Sequence, residues 1–213
     1  MHGLLKTLEN CSVVEQREDR LYDLGPRIYN LAAYVWNTGL RRLVLPAMQH
    51  LADSIGETVF LGRVEQGAVR VIESNSAGSE QMFPHVAVPR GTRMPLLAGT
   101  AGRIVLAGWP LERRNAWLQT HPLPRFTDRS ITDPEQFLKV VEETVRTGIA
   151  LDYGEYLNGV NAVAVPIIGS GNSLVAMLCV LGFAIHFDDE AMQRAALQLR
   201  AEAESISRSL RRS

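Results

Sequence analysis

The run Gly91 to Gly108, GTRMPLLAGTAGRIVLAG, holds the residue types best able to bind something in this 213-residue chain. Pro95 biases Met94 away from helix, Gly99 and Gly102 permit close backbone approach, and Ala101 to Ala107 has helical propensity with apolar spacing. A helix that starts on such small residues presents backbone N–H groups and its positive dipole end. Together these hold a carboxylate or phosphate without a basic side chain. The same residues also describe a tight loop-to-helix turn whose glycines only permit packing. Taken locally, the stretch leaves both readings open.

Other candidate chemistry is thinner. His2, His50, His85, His121 and His186 show no metal-ligand spacing, and Cys11 and Cys179 lack a CxxC partner, so no metal and no cofactor is expected. The GSGNS run from Gly169 reads as a hairpin turn rather than a phosphate loop. Asp152 and Glu155 have the spacing of an acid/base pair, but no nucleophile or second base lies near them in sequence. His85 and His121, each beside a proline, are expected in exposed loops. The chain is not expected to be an enzyme.

The elements that must position these residues follow from periodicity. Leu4, Leu5 and Leu8 share a helical face, and Ser12 to Leu24 reads as strand, charged turn at Arg17 to Asp19, and strand, closed by Gly25-Pro26. That is the tail of a winged helix, and its upstream helices are expected to be missing from this N-terminus. Residues 1–25 carry three basic side chains against five acidic ones, so no phosphate-gripping surface is visible there. Pro26 opens a linker helix with Ile28, Leu31, Ala32, Val35 and Trp36 on one face, expected to pack on the main domain or a twin subunit. A second helical pattern runs from Leu40 to Ala52, with Pro46 expected to kink it or mark a restart.

Beyond it, Glu57 to Glu73 is a β-hairpin about Glu65-Gln66-Gly67, followed by a polar loop from Ser74 to Gln81 and an extended piece at Val86 to Val88. A short helix at Leu111 to Leu118 precedes the best-signalled one, with Asp133 as N-cap, Pro134 first in the helix, Gly148 as stop, and Phe137, Val140, Val141 and Val145 facing inward. Ile149 to Asp152 is a strand. Val160 to Ile168 and Leu174 to Gly182 form a hairpin apolar enough to need cover on both faces. The last helix starts near Asp188, with Met192, Ala195, Ala196, Leu199, Ala203, Ile206 and Leu210 inward. The order predicts an α+β fold, an antiparallel sheet with its helices segregated to one face.

Composition excludes several classes. With 46% hydrophobic and 21% charged residues and a net charge of −1, the chain has no field that advertises nucleic acid. Two distant cysteines, no signal region and no apolar run of membrane length predict a soluble cytoplasmic protein without membrane contact.

With these elements in order, the chain resembles the IclR family of bacterial transcriptional regulators. The resemblance runs through LLKTLE, RLYDLGPRI, GETVFLGRVEQGAVRVIES, GTRMPLLAGTAGRIVLA, RSITDPEQF, RTGIALDYGEYLNGVNAVAVPI and LVAMLCVLG, essentially the whole chain. It implies a winged helix-turn-helix remnant over 1–25, a linker helix over 26–39 and an effector-binding domain over 40–213. That domain is implied to be α+β and GAF-like, an antiparallel sheet flanked by helices. It further implies a homodimer or homotetramer, an operator contacted only through a complete N-terminal domain, and a small organic or aromatic acid as effector. By position, Gly99, Thr100 and Ala101 take the ligand's carboxylate, and Asp152, Ala162, Cys179 and Leu181 face it. The places matching Ala162, Cys179 and Leu181 are polar in well-described members, so a less polar pocket and a larger or more hydrophobic effector are expected here. Asp152 serves equally as a cap of its loop, and Cys179 as a buried core thiol. The alternative is a stand-alone metabolite-binding or oligomerisation module that does not touch DNA.

Overall fold

The nearly unbroken apolar runs around residues 160–168 and 174–183 require cover on both faces, and they form the centre of the sheet. The computed structural model describes residues 2–17, 19–76 and 84–212, with the backbone alone for 2, 29–38 and 212. In chain order the elements are α1 His2–Asn10, β1 Val14–Gln16, β2 Tyr22–Leu24, α2 Pro26–Ile55, β3 Thr58–Glu65, β4 Ala68–Asn75, β5 Arg93–Pro95, α3 Thr100–Ala107, α4 Leu111–Thr120, α5 Pro134–Thr147, β6 Ala150–Tyr153, β7 Val160–Ile168, β8 Leu174–Phe183 and α6 Asp189–Arg212. The chain divides into two units, Met1–Leu43 and Val44–Ser213.

In the first unit β1 and β2 pair antiparallel, with Val14 opposite Leu24. Glu18 of the expected charged turn and the side chains on the expected linker face from Leu31 to Trp36 lie outside the described residues. Of the kink or restart expected at Pro46, the restart does not occur: α2 continues through it.

In the second unit six strands lie in the order β5-β4-β3-β8-β7-β6, with every pairing antiparallel. β3 and β4 turn at Gln66 and Gly67, both at positive φ, the backbone a tight hairpin needs. Strand alternation sorts β7 and β8 into two faces. Val163, Val165, Ile167, Leu178 and Val180 are buried on one, where α6 lies along β7. Ser207 Oγ accepts from the Ile168 amide and Asn161 Nδ2 donates to the Phe187 carbonyl, pinning α6 and its entry to the sheet. Val44, Met48 and Leu51 of α2 are fully or almost fully buried, and Ser54 donates to Gln198 of α6. On the other face Phe60, Ala164, Met177, Cys179 and Leu181 form one core with α3, Leu118 of α4, and Phe137 and Val141 of α5. Helices therefore cover both faces, as the apolar hairpin requires and contrary to the one-sided layer expected from element order; the alternating strands β7 and β8 each send apolar side chains both ways.

Asp133 caps α5 as expected, its Oδ1 accepting from the Gln136 amide at 2.8 Å, and Gly148 ends it at φ 71. Thr144 is buried in place of Val145, which is 51% exposed. The extended piece at Val86 to Val88 forms no strand; β5 at Arg93–Pro95 pairs with β4 instead. Residues 77–81 of the polar loop lie outside the described residues.

The two sides of α6 give a direct check. Leu199→Ala, at a fully buried site, is expected to lower stability by about 3 kcal/mol in urea unfolding. Leu197→Ala, at a 60% exposed position, is expected to change it by less than about 0.5 kcal/mol.

Candidate functional site

The start of α3 follows from its glycines. Gly99 adopts φ 54, ψ −125, a region open essentially to glycine alone, and a Cβ there would collide with Asp152 Oδ2. No side chain caps this end of α3. The Ala101 amide turns back to the Ala98 carbonyl at 3.3 Å. A buried helix N-terminus built of small residues therefore faces a carboxyl group across van der Waals contact.

Asp152 stands on β6 opposite Ala162, which stands opposite Leu181. Cys179 lies opposite Ala164 and Phe60. This register sets Asp152, Ala162, Cys179 and Leu181 on the α3 face of the sheet. All seven residues singled out in the sequence, Gly99, Thr100, Ala101, Asp152, Ala162, Cys179 and Leu181, line a single cavity of about 70 Å³. That holds several waters, one needing roughly 10–15 Å³. Phe60, Val88, Met94, Met177, Tyr156, Leu157 and Val160 complete most of the wall. The wall is predominantly apolar, and Asp152 is the one charged side chain among the described residues that line it.

Asp152 is 3% exposed. Burial pushes its carboxyl up to about 6, helped by the nearby Glu155 charge and opposed by the amides of Glu155 and Tyr156 and by the Arg103 cation. Its Oδ1 accepts from the Glu155 amide at 2.6 Å, so it caps the loop after β6 while facing the cavity. Burial raises the Cys179 thiol far above its ordinary range, which leaves it a protonated wall atom rather than a nucleophile.

The sequence did not point to what holds the loop in place. Arg103, one turn into α3 and 3% exposed, reaches both oxygens of Glu155 at 2.5 and 2.6 Å. Thr127 Oγ1 donates to the Gly154 carbonyl and Ser130 Oγ to the Glu155 carbonyl. Phe126 meets Tyr156 edge to face at 4.9 Å. These contacts seat Tyr156 and Leu157 over the cavity. A lone arginine in the apolar run Ala101 to Ala107 was the available signal, because a buried cation needs a partner. Met177 was legible too, two residues before Cys179 on the same strand.

His85 departs from expectation. Its ring nitrogens are buried rather than exposed, and Nδ1 lies 3.9 Å from Glu57 Oε2. Burial pushes Glu57 up to about 7. His121 is exposed and stacks on Trp117, ring centroids 4.1 Å apart. Among the described residues no group of three or more His, Cys, Asp or Glu is arranged for a metal, and no helix is long and apolar enough to cross a membrane.

The six-stranded antiparallel sheet with its helices is the fold of solved IclR transcriptional regulators. Residues 32–208 match the family model described as Bacterial transcriptional regulator IclR C-terminal, and the chain belongs to the IclR family. It is similar to the HTH-type transcriptional regulator KipR of Bacillus subtilis, 24% identical over 99% of this chain and 83% of that protein. The solved IclR regulator from Alicyclobacillus acidocaldarius is similar at 27% identity and a TM-score of 0.74, covering 97% of this chain and 83% of that one. An IclR homologue from Microbacterium hydrocarbonoxydans, solved in complex with 4-hydroxybenzoate, is 26% identical with a TM-score of 0.72, covering all of this chain and 85% of its own.

Breaking the buried pair tests the loop's anchor. Arg103→Met strands Glu155 and is expected to cost about 3 kcal/mol in urea unfolding, while the double variant Arg103→Met/Glu155→Leu is expected to recover most of that loss.

Proposed function

We propose that the cavity between α3 and the sheet is the effector site and that its ligand is a small acid with an apolar or aromatic body. The supporting observation is the convergence of Gly99, Thr100 and Ala101 on one wall with Asp152, Ala162, Cys179 and Leu181 on the other. The ligand carboxylate lies at the α3 N-terminus, where amides and dipole favour an anion. Its body lies against Ala162, Cys179, Leu181 and Met177. The 4-hydroxybenzoate complex of the Microbacterium homologue supports an aromatic acid. A ring asks for more room than about 70 Å³, since a cavity of about 150 Å³ is known to take benzene. The flexible side chains of Met94 and Met177 make that space by repacking.

In this reading residues 1–25 belong to a winged helix-turn-helix, 26–39 are the linker helix and 40–213 the effector domain. The protein works as a homodimer or homotetramer in the cytoplasm, and it reaches an operator through its winged helix-turn-helix domain. Effector binding biases the arrangement of paired subunits because its affinity differs between arrangements.

Asp152 sets a condition on the ligand. A carboxylate arriving beside it places two like charges in a buried space, which raises the Asp152 carboxyl further. The acid therefore binds with Asp152 protonated, donating rather than repelling. Below pH 6 the free protein already carries that proton, and above it the proton must be taken up. Affinity for 4-hydroxybenzoate, measured by calorimetry, is expected to be flat between about pH 5, where the ligand is ionised, and pH 6, and then to fall by up to about tenfold per pH unit until the raised Asp152 midpoint of the complex is reached, each unit being about 1.36 kcal/mol. Asp152→Asn is expected to bind without that slope. A pH-independent affinity in the natural protein, or a slope that persists in the variant, contradicts the assignment.

A further inference from the structure

At the far end of α3 lies a second recess, of about 570 Å³, which shares no lining residue with the first cavity. It is walled by the last turns of α3 and α5, by β3 and by the β7–β8 hairpin. Ile104, Val105 and Thr144 on its wall are 3%, 6% and 3% exposed. They are buried core residues that form the floor of the recess. Recesses of roughly 300–1,000 Å³ are the size that takes small organic molecules.

The lining selects the occupant's chemistry. Among the described residues no charged side chain lines the recess, and the Arg113 cation beside it is engaged over the Trp109 ring, 4.1 Å from its centroid, so the lining itself gives an anion no counter-charge. The negative end of α3 is already closed to a cation, because Arg114 donates to the carbonyls of Leu106, Ala107 and Trp109. Trp109 offers an aromatic wall, and Asn172 and Ser173 supply an amide and a hydroxyl from exposed positions on the hairpin. Val145, the apolar residue left 51% exposed on α5, stands on the same lining.

We propose that this recess is a second small-molecule site, for a neutral aromatic compound bearing a hydroxyl or amide group. Ring and wall associate through apolar burial and aromatic contact, and the polar group reaches Asn172 or Ser173. The site rests on its own geometry and stands or falls separately from the reading of the first cavity.

Titration of the full chain with 2-naphthol, neutral at pH 7, and with 2-naphthoate, the same ring system carrying a charge, tests it by calorimetry. Val145→Trp and Ser173→Trp plug the recess from exposed positions, and their thermal melts check that each variant folds. Saturable 2-naphthol binding is expected, weakened at least about tenfold in either plugged variant, with any 2-naphthoate binding unchanged by the plugs. Three results overturn the proposal: no saturable 2-naphthol binding up to its solubility limit; equal binding in the plugged variants; or sedimentation showing that both plugs abolish self-association of the natural chain, which makes a second copy the occupant.

Discussion

The contact between the Asp152 carboxyl and the backbone at Gly99 is the constraint on which the rest of the site depends. The ionisation of an acid buried against a helix N-terminus is set here by effects of opposite sign. Burial and the nearby Glu155 charge disfavour its charge, while the amides of Glu155 and Tyr156 and the Arg103 cation favour it. The balance leaves the carboxyl near neutrality, able to change state when another charge arrives. Gly99 makes that approach possible, because any side chain at this position would occupy the place of the Asp152 oxygen. A site that needed only a tight turn would not need the carboxyl, and a site that needed only an anion cradle would not set an acid beside it. In the proposed reading, the two together make a place where an incoming acid and the resident acid would share one proton.

Around that contact the fold is arranged in support. β6 sits at the edge of the sheet and brings Asp152 over α3, while the loop after it is tied back by Arg103–Glu155 and by Thr127 and Ser130. Breaking one partner of a buried ion pair costs far more than the pair contributes relative to apolar residues. Arg103 and Glu155 therefore fix where the loop sits more than they add stability. On the opposite face α6 packs along the sheet, and Tyr153, the neighbour of Asp152 on β6, donates to Asp189 at the start of that helix at 2.5 Å. One strand thus carries the cavity's acid toward α3 and a tether toward α6.

Much of this architecture is legible in the amino-acid sequence. Periodicity marks the strands, the capped α5 and the inner face of α6, because those segments repeat a strong pattern with clear punctuation. The family resemblance points to seven positions, and the strand register gathers them around one cavity. Three kinds of information are not in the pattern. The cover needed on both faces is legible in the apolar hairpin, but which helices supply it is not. The burial of His85 beside Glu57, and of Thr144 in place of Val145, depends on tertiary neighbours far away in sequence. The Arg103–Glu155 pair joins residues 52 positions apart, and only the lone charge in an apolar helix hints at it.

The most direct test is the ionisation of Asp152 itself, followed through its carboxyl carbon by NMR with and without saturating 4-hydroxybenzoate. The free protein is expected to titrate at this residue near pH 6, and the complex at least about one unit higher, since two buried like charges oppose each other. An ordinary carboxylate midpoint in the free protein, or a midpoint that does not move when the ligand is bound, would contradict the shared proton at the α3 N-terminus.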